Sequence, residues 1–523
     1  MSKKQYNYAF KYSLFFLYLQ HINTMHGSKI IEILKTFSKN ELKLFEKFIN
    51  SPYTNNGRDI ASLFKIAKKN YPDFKRDKIA KQTVFFQLFP DEPYGKKKIE
   101  NMIYSLTKLA EDFLISAGQN NNKFQKLESL AGQYKQRRMD KFFLQTVREI
   151  EKIVNENLFN RFEGFKEEEK LHNYRVDYYI STNDYYKAVE EKTKVADINS
   201  ADFIISYFKT LREKIISEKS YNIPFPSISL KAFSTCLDSE KLLYELKKNK
   251  YEYYYLAAIY YHNMKAAEST DNSPDYFNFK KLVLNNLGKF KQSERYMLFS
   301  DMISFCVDKE NSGDESYQRE EFEVIKKMLE TNSYTWSEND YLQIIFYRNI
   351  MILSLVIKEL DWLEEFAEKY TNMLRPEYRQ NMKNLLLANI RFAQKKFEES
   401  LTYINKVKYD VFLYKMDVKQ LMTSIYYELN LFEQAYALID AFKHYISASS
   451  EISELMKKRC LNYLAYYKKM LQLKSKVLSS GKASGENIID SDLLVKKIEA
   501  ESVLPSKRWL LDKAVEMKYL RKI

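Results

Sequence analysis

Three aromatic residues in the C-terminal third, Trp362, Phe397 and Phe432, follow one another at intervals of 35 residues. A fixed period of that size is the mark of stacked helical hairpins, each too small to bury its apolar face alone. Helix breakers are correspondingly scarce: 10 glycines and 9 prolines in 523 residues. Long helices with short turns tolerate that scarcity, whereas sandwiches and α/β folds need many more turn residues. The expected fold class is therefore all-α, a solenoid of helical hairpins behind an N-terminal helical domain. The length exceeds what one compact core holds, but a solenoid adds core repeat by repeat.

The clearest unit covers residues 387–401, with Ala388 at a small position and Phe397 opening the second helix. The next covers residues 422–436: Thr423 and Ala435 are the small residues, Tyr426 the aromatic, and Phe432 opens the second helix. A weaker unit, residues 352–366, is built around Trp362. These stretches resemble the tetratricopeptide repeat, whose small residues let paired helices approach closely. The resemblance implies a tetratricopeptide-like solenoid and no chemistry. Arg391 replaces an expected aromatic, Glu365 a small residue, and the turns use Asp361, Lys395 and Asn430 instead of glycine. Residues 183–189 and 288–293 look like further units. An irregular helical bundle containing a few such pairs stays open beside the continuous solenoid.

Near the other end, Ser38 and Glu41 have the spacing of a capping box, followed by Leu42, Phe45 and Ile49 on one helical face. Ile99, Met102, Leu106 and Leu109 stripe a longer helix. The motifs Ser38-Lys39-Asn40-Glu41-Leu42, Ser51-Pro52-Tyr53, Leu88-Phe89-Pro90 and Pro93-Tyr94 resemble an uncharacterised bacterial family with degenerate tetratricopeptide-like repeats. That resemblance implies no activity. Residues 78–114 also look like the helix, loop and helix of a winged-helix module, as in some bacterial transcription activators. On that resemblance residues 96–113 would enter the major groove, with Glu100, Asn101, Tyr104, Ser105 and Lys108 toward the bases. Residues 116–122 lack the alternation that a wing strand requires.

Charge is uneven along the chain. Residues 1–150 hold 27 Lys/Arg against 14 Asp/Glu, and residues 451–523 hold 16 against 9, while the middle has 41 against 46. Basic ends fit contact with nucleic acid or another polyanion, and equally fit solvated lysines on helix faces. Candidate polyanion contacts are Lys75, Arg76, Lys96, Lys97, Lys98, Arg137 and Arg138. The cluster around Tyr251, Tyr253, Tyr254, Tyr255, Tyr260 and Tyr261 reads either as core packing or as a peptide groove.

Catalytic and metal signatures are missing. There is no Walker loop, Gly-x-Ser-x-Gly elbow or His-Glu-x-x-His helix, so no catalytic, cofactor-binding or metal residue is expected. Cys236, Cys306 and Cys460 are far apart, which fits a reducing, cytoplasmic compartment. No run is long enough to insert in a bilayer. Residues 1–24 are expected to be a leader or a misassigned start, because an amphipathic helix begins soon after Met25. The expected domains are 25–120 (helical), 121–478 (solenoid) and 479–523 (linker and basic helical tail). The tail would either cap the solenoid or dock on a partner. The expected function is a non-enzymatic cytoplasmic scaffold that binds a protein or peptide. The alternative is a nucleic-acid-binding regulator that uses the basic N-terminal region.

Overall fold

The computed structural model describes residues 25–53, 60–75, 77–156, 161–269, 274–408, 412–449, 452–480, 485–501 and 504–517. These residues form 24 α-helices and no β-strand. Residues 1–24, the expected leader, and Arg76 lie outside the described residues. Two compact units emerge, one within Met1–Leu158 and Lys166–Ile198, the other within Phe159–Phe165 and Asn199–Ile523.

The first unit opens with α1 (Lys29–Thr36), α2 (Lys39–Ile49), α3 (Ile60–Lys69) and α4 (Lys81–Leu88), followed by α5 (Lys96–Asn121). The Ser38 hydroxyl accepts from the Glu41 amide at 3.2 Å, and the Glu41 carboxylate accepts from the Ser38 amide at 2.7 Å. This reciprocal cap satisfies two helix-end donors. Its backbone hydrogen bond holds the Glu41 carboxyl below the usual range. Phe37, Phe45, Phe64 and Phe113 then meet edge-on or tilted, at centroid separations of 5.0–5.6 Å, and seal the core of this helical cluster. Helices α6 (Lys123–Gln136), α7 (Asp140–Glu156) and most of α8 (Arg161–Ser181) follow, and α9 (Tyr185–Ser220) starts in this unit but belongs to the second from Asn199 onward. Phe124, Leu127, Phe143, Val147, Ile150 and Leu171 form a second core there.

The second unit contains α10 (Ile228–Cys236), α11 (Ser239–Lys248), α12 (Tyr254–Glu268), α13 (Pro274–Asn285), α14 (Gln292–Asn311) and α15 (Tyr317–Glu330). It continues through α16 (Ile344–Val356), α17 (Leu360–Tyr370), α18 (Pro376–Ala393) and α19 (Phe397–Ile404). The last elements are α20 (Phe412–Glu428), α21 (Phe432–Ala448), α22 (Glu454–Ser480), α23 (Gly485–Ala500) and α24 (Lys507–Glu516).

One turn recurs. The pairs α6/α7, α8/α9, α16/α17, α18/α19 and α20/α21 are each joined by three residues. The middle residue is Arg138, Asn183, Lys358, Lys395 or Asn430, and its φ lies between 54° and 64°. In every case the next residue donates its amide to the carbonyl five positions back, at 2.8–3.0 Å. This is the Schellman closure of a helix C-terminus, usually built on glycine. Here lysine, arginine and asparagine adopt the left-handed conformation instead, at a cost of about 1 kcal/mol for a β-carbon.

The repeat residues do not all fall in register. Ala388 and Ser400 are fully buried, and the Ser400 hydroxyl donates to the Ala388 carbonyl at 2.7 Å, so α18 and α19 touch backbone to side chain. Thr423 and Ala435 are equally buried in the next pair, and Tyr426 and Phe432 pack on its core. Phe397 and Phe432 are the first residues of their helices, but Trp362 is the third residue of α17. The 35-residue interval from Trp362 is therefore not a structural equivalence. Measured from the left-handed residues, Leu360 takes the place of Phe397, and buried Leu363 that of Ser400. The Trp362 ring packs against Phe322 of α15 at 4.7 Å, while Phe397 meets Phe392 of its own pair at 5.4 Å. Arg391, where an aromatic was expected, reaches Glu364 of α17 at 2.8 Å. An ion pair joins those hairpins in place of a ring.

The C-terminal helices contribute to a core. Leu494, Ile498, Leu504, Leu510 and Ala514 share one apolar cluster with Tyr427, Phe442, Tyr463 and Tyr467. Ser479 and Ser480, read as the start of a linker, end α22, and residues 481–484 lie outside the described residues.

Lys395 is exposed, so replacing it tests the turn alone. Lys395→Gly is expected to stabilise the chain by roughly 0.5–1 kcal/mol, and Lys395→Val to destabilise it by more than about 1 kcal/mol. Calorimetric melting of the three proteins checks the order.

Candidate ligand groove

A groove of about 840 Å³ opens in the second unit, walled by α9, α12, α13 and α14. Ile215 and Ile216 of α9, Ala266 of α12 and Phe305 of α14 supply its apolar walls. Three polar side chains close a triangle at its base. Arg212 pairs with Asp301 at 2.9 Å and donates to the Asn263 amide oxygen at 3.0 Å. Asn263 in turn donates to the second Asp301 oxygen at 2.7 Å. Each helix of the triangle is thus held to the other two by a charge-assisted or amide bond. Burial pushes the Asp301 carboxyl above its ordinary range, although Arg212 and Asn263 act the other way.

Two lysines close one end of the groove. Lys219 donates to the Ala267 carbonyl at 3.2 Å and to that of Glu268, and Lys309 reaches the Ser269 carbonyl at 3.5 Å. Both therefore meet the C-terminal end of α12, where its dipole favours cations. On the facing wall Ser304, Asp308 and Asn311 lie at i, i+4 and i+7 of α14. Burial raises the Asp308 carboxyl despite the charges of Arg212 and Lys309. Such a lining supplies apolar contact with a few fixed polar groups, the make-up of a site that holds a ligand by shape and orientation.

The groove does not run through the tyrosine cluster. Tyr253, Tyr260 and Tyr261 are buried and fill the core. Arg212, Asn263 and Asp301 were not legible as a site, because they come from three separate helices with no motif between them. The available signal was Asn263 itself, an amide in the largely apolar stretch of α12.

The candidate polyanion residues stand apart from this groove. Lys96, Lys97 and Lys98 share the first turn of α5, Lys75 lies before α4, and Arg137 and Arg138 lie in the α6/α7 turn. All six are exposed. Lys98 is engaged, 2.7 Å from Glu92 and 3.6 Å from the Phe89 ring centroid. Arg137 donates to Gln133. Of the residues assigned toward bases, Asn101, Tyr104 and Lys108 are exposed on α5, while Glu100 turns to Lys81 at 2.9 Å. Helix α5 continues to Asn121, so helix occupies the place where the wing would begin.

Among the described residues no group of three or more His, Cys, Asp or Glu side chains could hold a metal ion. No described helix is long and apolar enough to cross a membrane. No protein-family model, curated protein or solved structure matches the chain.

Outside the groove's lining, Glu310 of α14 and Glu321 of α15 are packed together. Glu321 is 8% exposed, and one Glu310 oxygen is buried without a hydrogen-bond partner. No described cation pairs with either. Burial first, and then Glu310, push the Glu321 carboxyl well above its ordinary range. A raised folded pKa contributes stability that is complete in acid and is lost as pH rises through the folded value. Glu321→Gln is therefore expected to match the parent below about pH 4 and to melt higher at neutral and alkaline pH. Melting temperatures across that range check the sign.

The triangle makes a second prediction. Arg212→Met leaves Asp301 without its cation and should cost about 3 kcal/mol. Arg212→Met combined with Asp301→Leu should recover most of that loss, measured as melting temperature.

Proposed function

We propose that this chain is a non-enzymatic cytoplasmic scaffold that holds an extended segment of a partner protein in the groove between α9, α12, α13 and α14. One observation carries the reading: apolar walls over a rigid polar base, in a groove of about 840 Å³. A peptide offers such a site both apolar side chains and backbone groups, and the preformed triangle lowers the ordering cost of binding. The recurring Schellman turns favour reading residues 121–478 as tetratricopeptide-like hairpins, and hairpin stacks commonly present grooves of this kind. The absence of any catalytic signature in the sequence supports a binding role.

The second reading, a nucleic-acid-binding regulator, is favoured by the exposed Lys97, Asn101, Tyr104 and Lys108 on α5. The continuous helix to Asn121 weighs against a winged helix in that role.

Selection of displayed random peptides on the full-length protein tests the proposal. Ser304 is exposed on the groove wall, and Ser304→Trp fills the space without disturbing the core. Selected peptides should bind the parent and lose about tenfold or more on Ser304→Trp. Peptides indifferent to that substitution, or a selection that yields none, sink the groove reading. Salt-sensitive binding to random duplex DNA, lost on Lys97→Ala with Lys108→Ala, would favour the second reading.

A further inference from the structure

A second groove, of about 610 Å³, lies near the C-terminus and is bounded by α21, α22 and α23. It is independent of the first. Its charged lining is Lys469, Lys476 and Lys497 against Asp490. Lys469 and Lys497 are exposed and make no ion pair with any described residue. Between these cations lies an apolar floor: Leu473 and Leu494 are 8% and 4% exposed, and Leu493 stands 50% exposed beside them.

We propose that this groove docks an acidic, leucine-bearing segment of a partner protein. Charge complementarity sets the sign of the partner: Lys469 and Lys497 at the opening attract carboxylates and steer their approach. The floor sets the second requirement. Half-exposed Leu493 beside the nearly buried Leu473 and Leu494 gives an apolar side chain somewhere to leave water, at about 25 cal/mol for each Å² covered. The volume lies within the range of ordinary ligand sites and accommodates a few side chains.

A nucleic acid fits this lining less well. Single strands bind through aromatic platforms on which bases stack, and Tyr436 is the one aromatic residue of the lining. The cations are all lysines, which lack the planar fork that grips phosphate in two places. The neighbouring Lys474 does not contribute to the opening. It faces inward, donates to the Tyr427 carbonyl at 2.5 Å and lies 4.0 Å from the Tyr427 ring centroid.

The test uses the full-length protein and a fluorescein-labelled synthetic peptide of leucines spaced among aspartates. Fluorescence anisotropy should show binding. It should weaken about tenfold or more in the variant carrying Lys469→Glu and Lys497→Glu. Leu493→Asp should weaken it comparably. A peptide with lysines in place of the aspartates should prefer the charge-reversed variant. All three substituted side chains are exposed, so melting temperatures should hold within a degree or so of the parent. Failure of the acidic peptide to bind, or equal binding to parent and charge-reversed variant, overturns the proposal. So does a serine-for-leucine peptide, or a single-stranded oligonucleotide, binding as tightly as the leucine peptide, since either outcome makes the site a general polyanion patch.

Discussion

Every helix leaves its last carbonyls without an internal partner, and in this chain one device answers that need again and again. A single residue turns left-handed, the next amide reaches back five positions, and the chain is released into an antiparallel helix. The device fixes more than the helix end. By setting a three-residue connection it sets which faces of the two helices meet, and hence where small residues are required. Ala388 and Ser400 satisfy that requirement in one pair, and Thr423 and Ala435 in the next. Because lysine and arginine occupy the left-handed site as well as asparagine, the turn is imposed by the packing around it and not by the local preference of its residue.

Polar groups then join elements that the turns do not connect. The triangle of Arg212, Asn263 and Asp301 holds α9, α12 and α14 together. Arg348 grips Asp417 with both prongs across α16 and α20, one of the bonds at 2.7 Å. Arg391 and Glu364 bridge α18 and α17. In the other unit, His172 of α8 lies 2.5 Å from Glu191 of α9. Burial works against ionising Glu191, but His172, Lys194 and Arg175 together hold its carboxyl below the usual range. Such bonds add little net energy when complete and cost much when halved, so they specify the alignment of helices more than they stabilise it. The first groove is lined by the residues of that triangle, so the same bonds that align its helices also fix part of its wall.

Some of this was open to reading in the chain. The capping box at Ser38 and Glu41 is local chemistry over four residues, and it formed as its spacing dictates. The helical class followed from periodicity and the scarcity of breakers. The hairpin of α18 and α19 was visible because its small residues and its aromatic share a short window. Trp362 misled, since an interval of 35 residues counts sequence, whereas equivalence is counted from the turn, and the preceding turn lies 37 residues before Lys395. The tyrosine cluster likewise offered core or groove, and burial decided for core. The tail had an amphipathic pattern that suits capping the solenoid or docking on a partner, and Leu494, Ile498, Leu510 and Ala514 are buried against the chain itself while Leu493 stays half-exposed.

What the sequence alone determined is therefore local or periodic: helices, their caps, the small positions of the clearest hairpins, and the lack of any recognised catalytic motif. Those features depend on residues within about one turn or one hairpin of each other, so a linear reading reaches them. The tertiary structure alone decided the grooves. Arg212 and Asp301 are 89 positions apart, and Lys469 and Lys497 are 28 apart, and no period links either pair. Side chains so distant become neighbours only when helix packing has chosen an angle, and that angle is set by many weak contacts summed over whole helix faces.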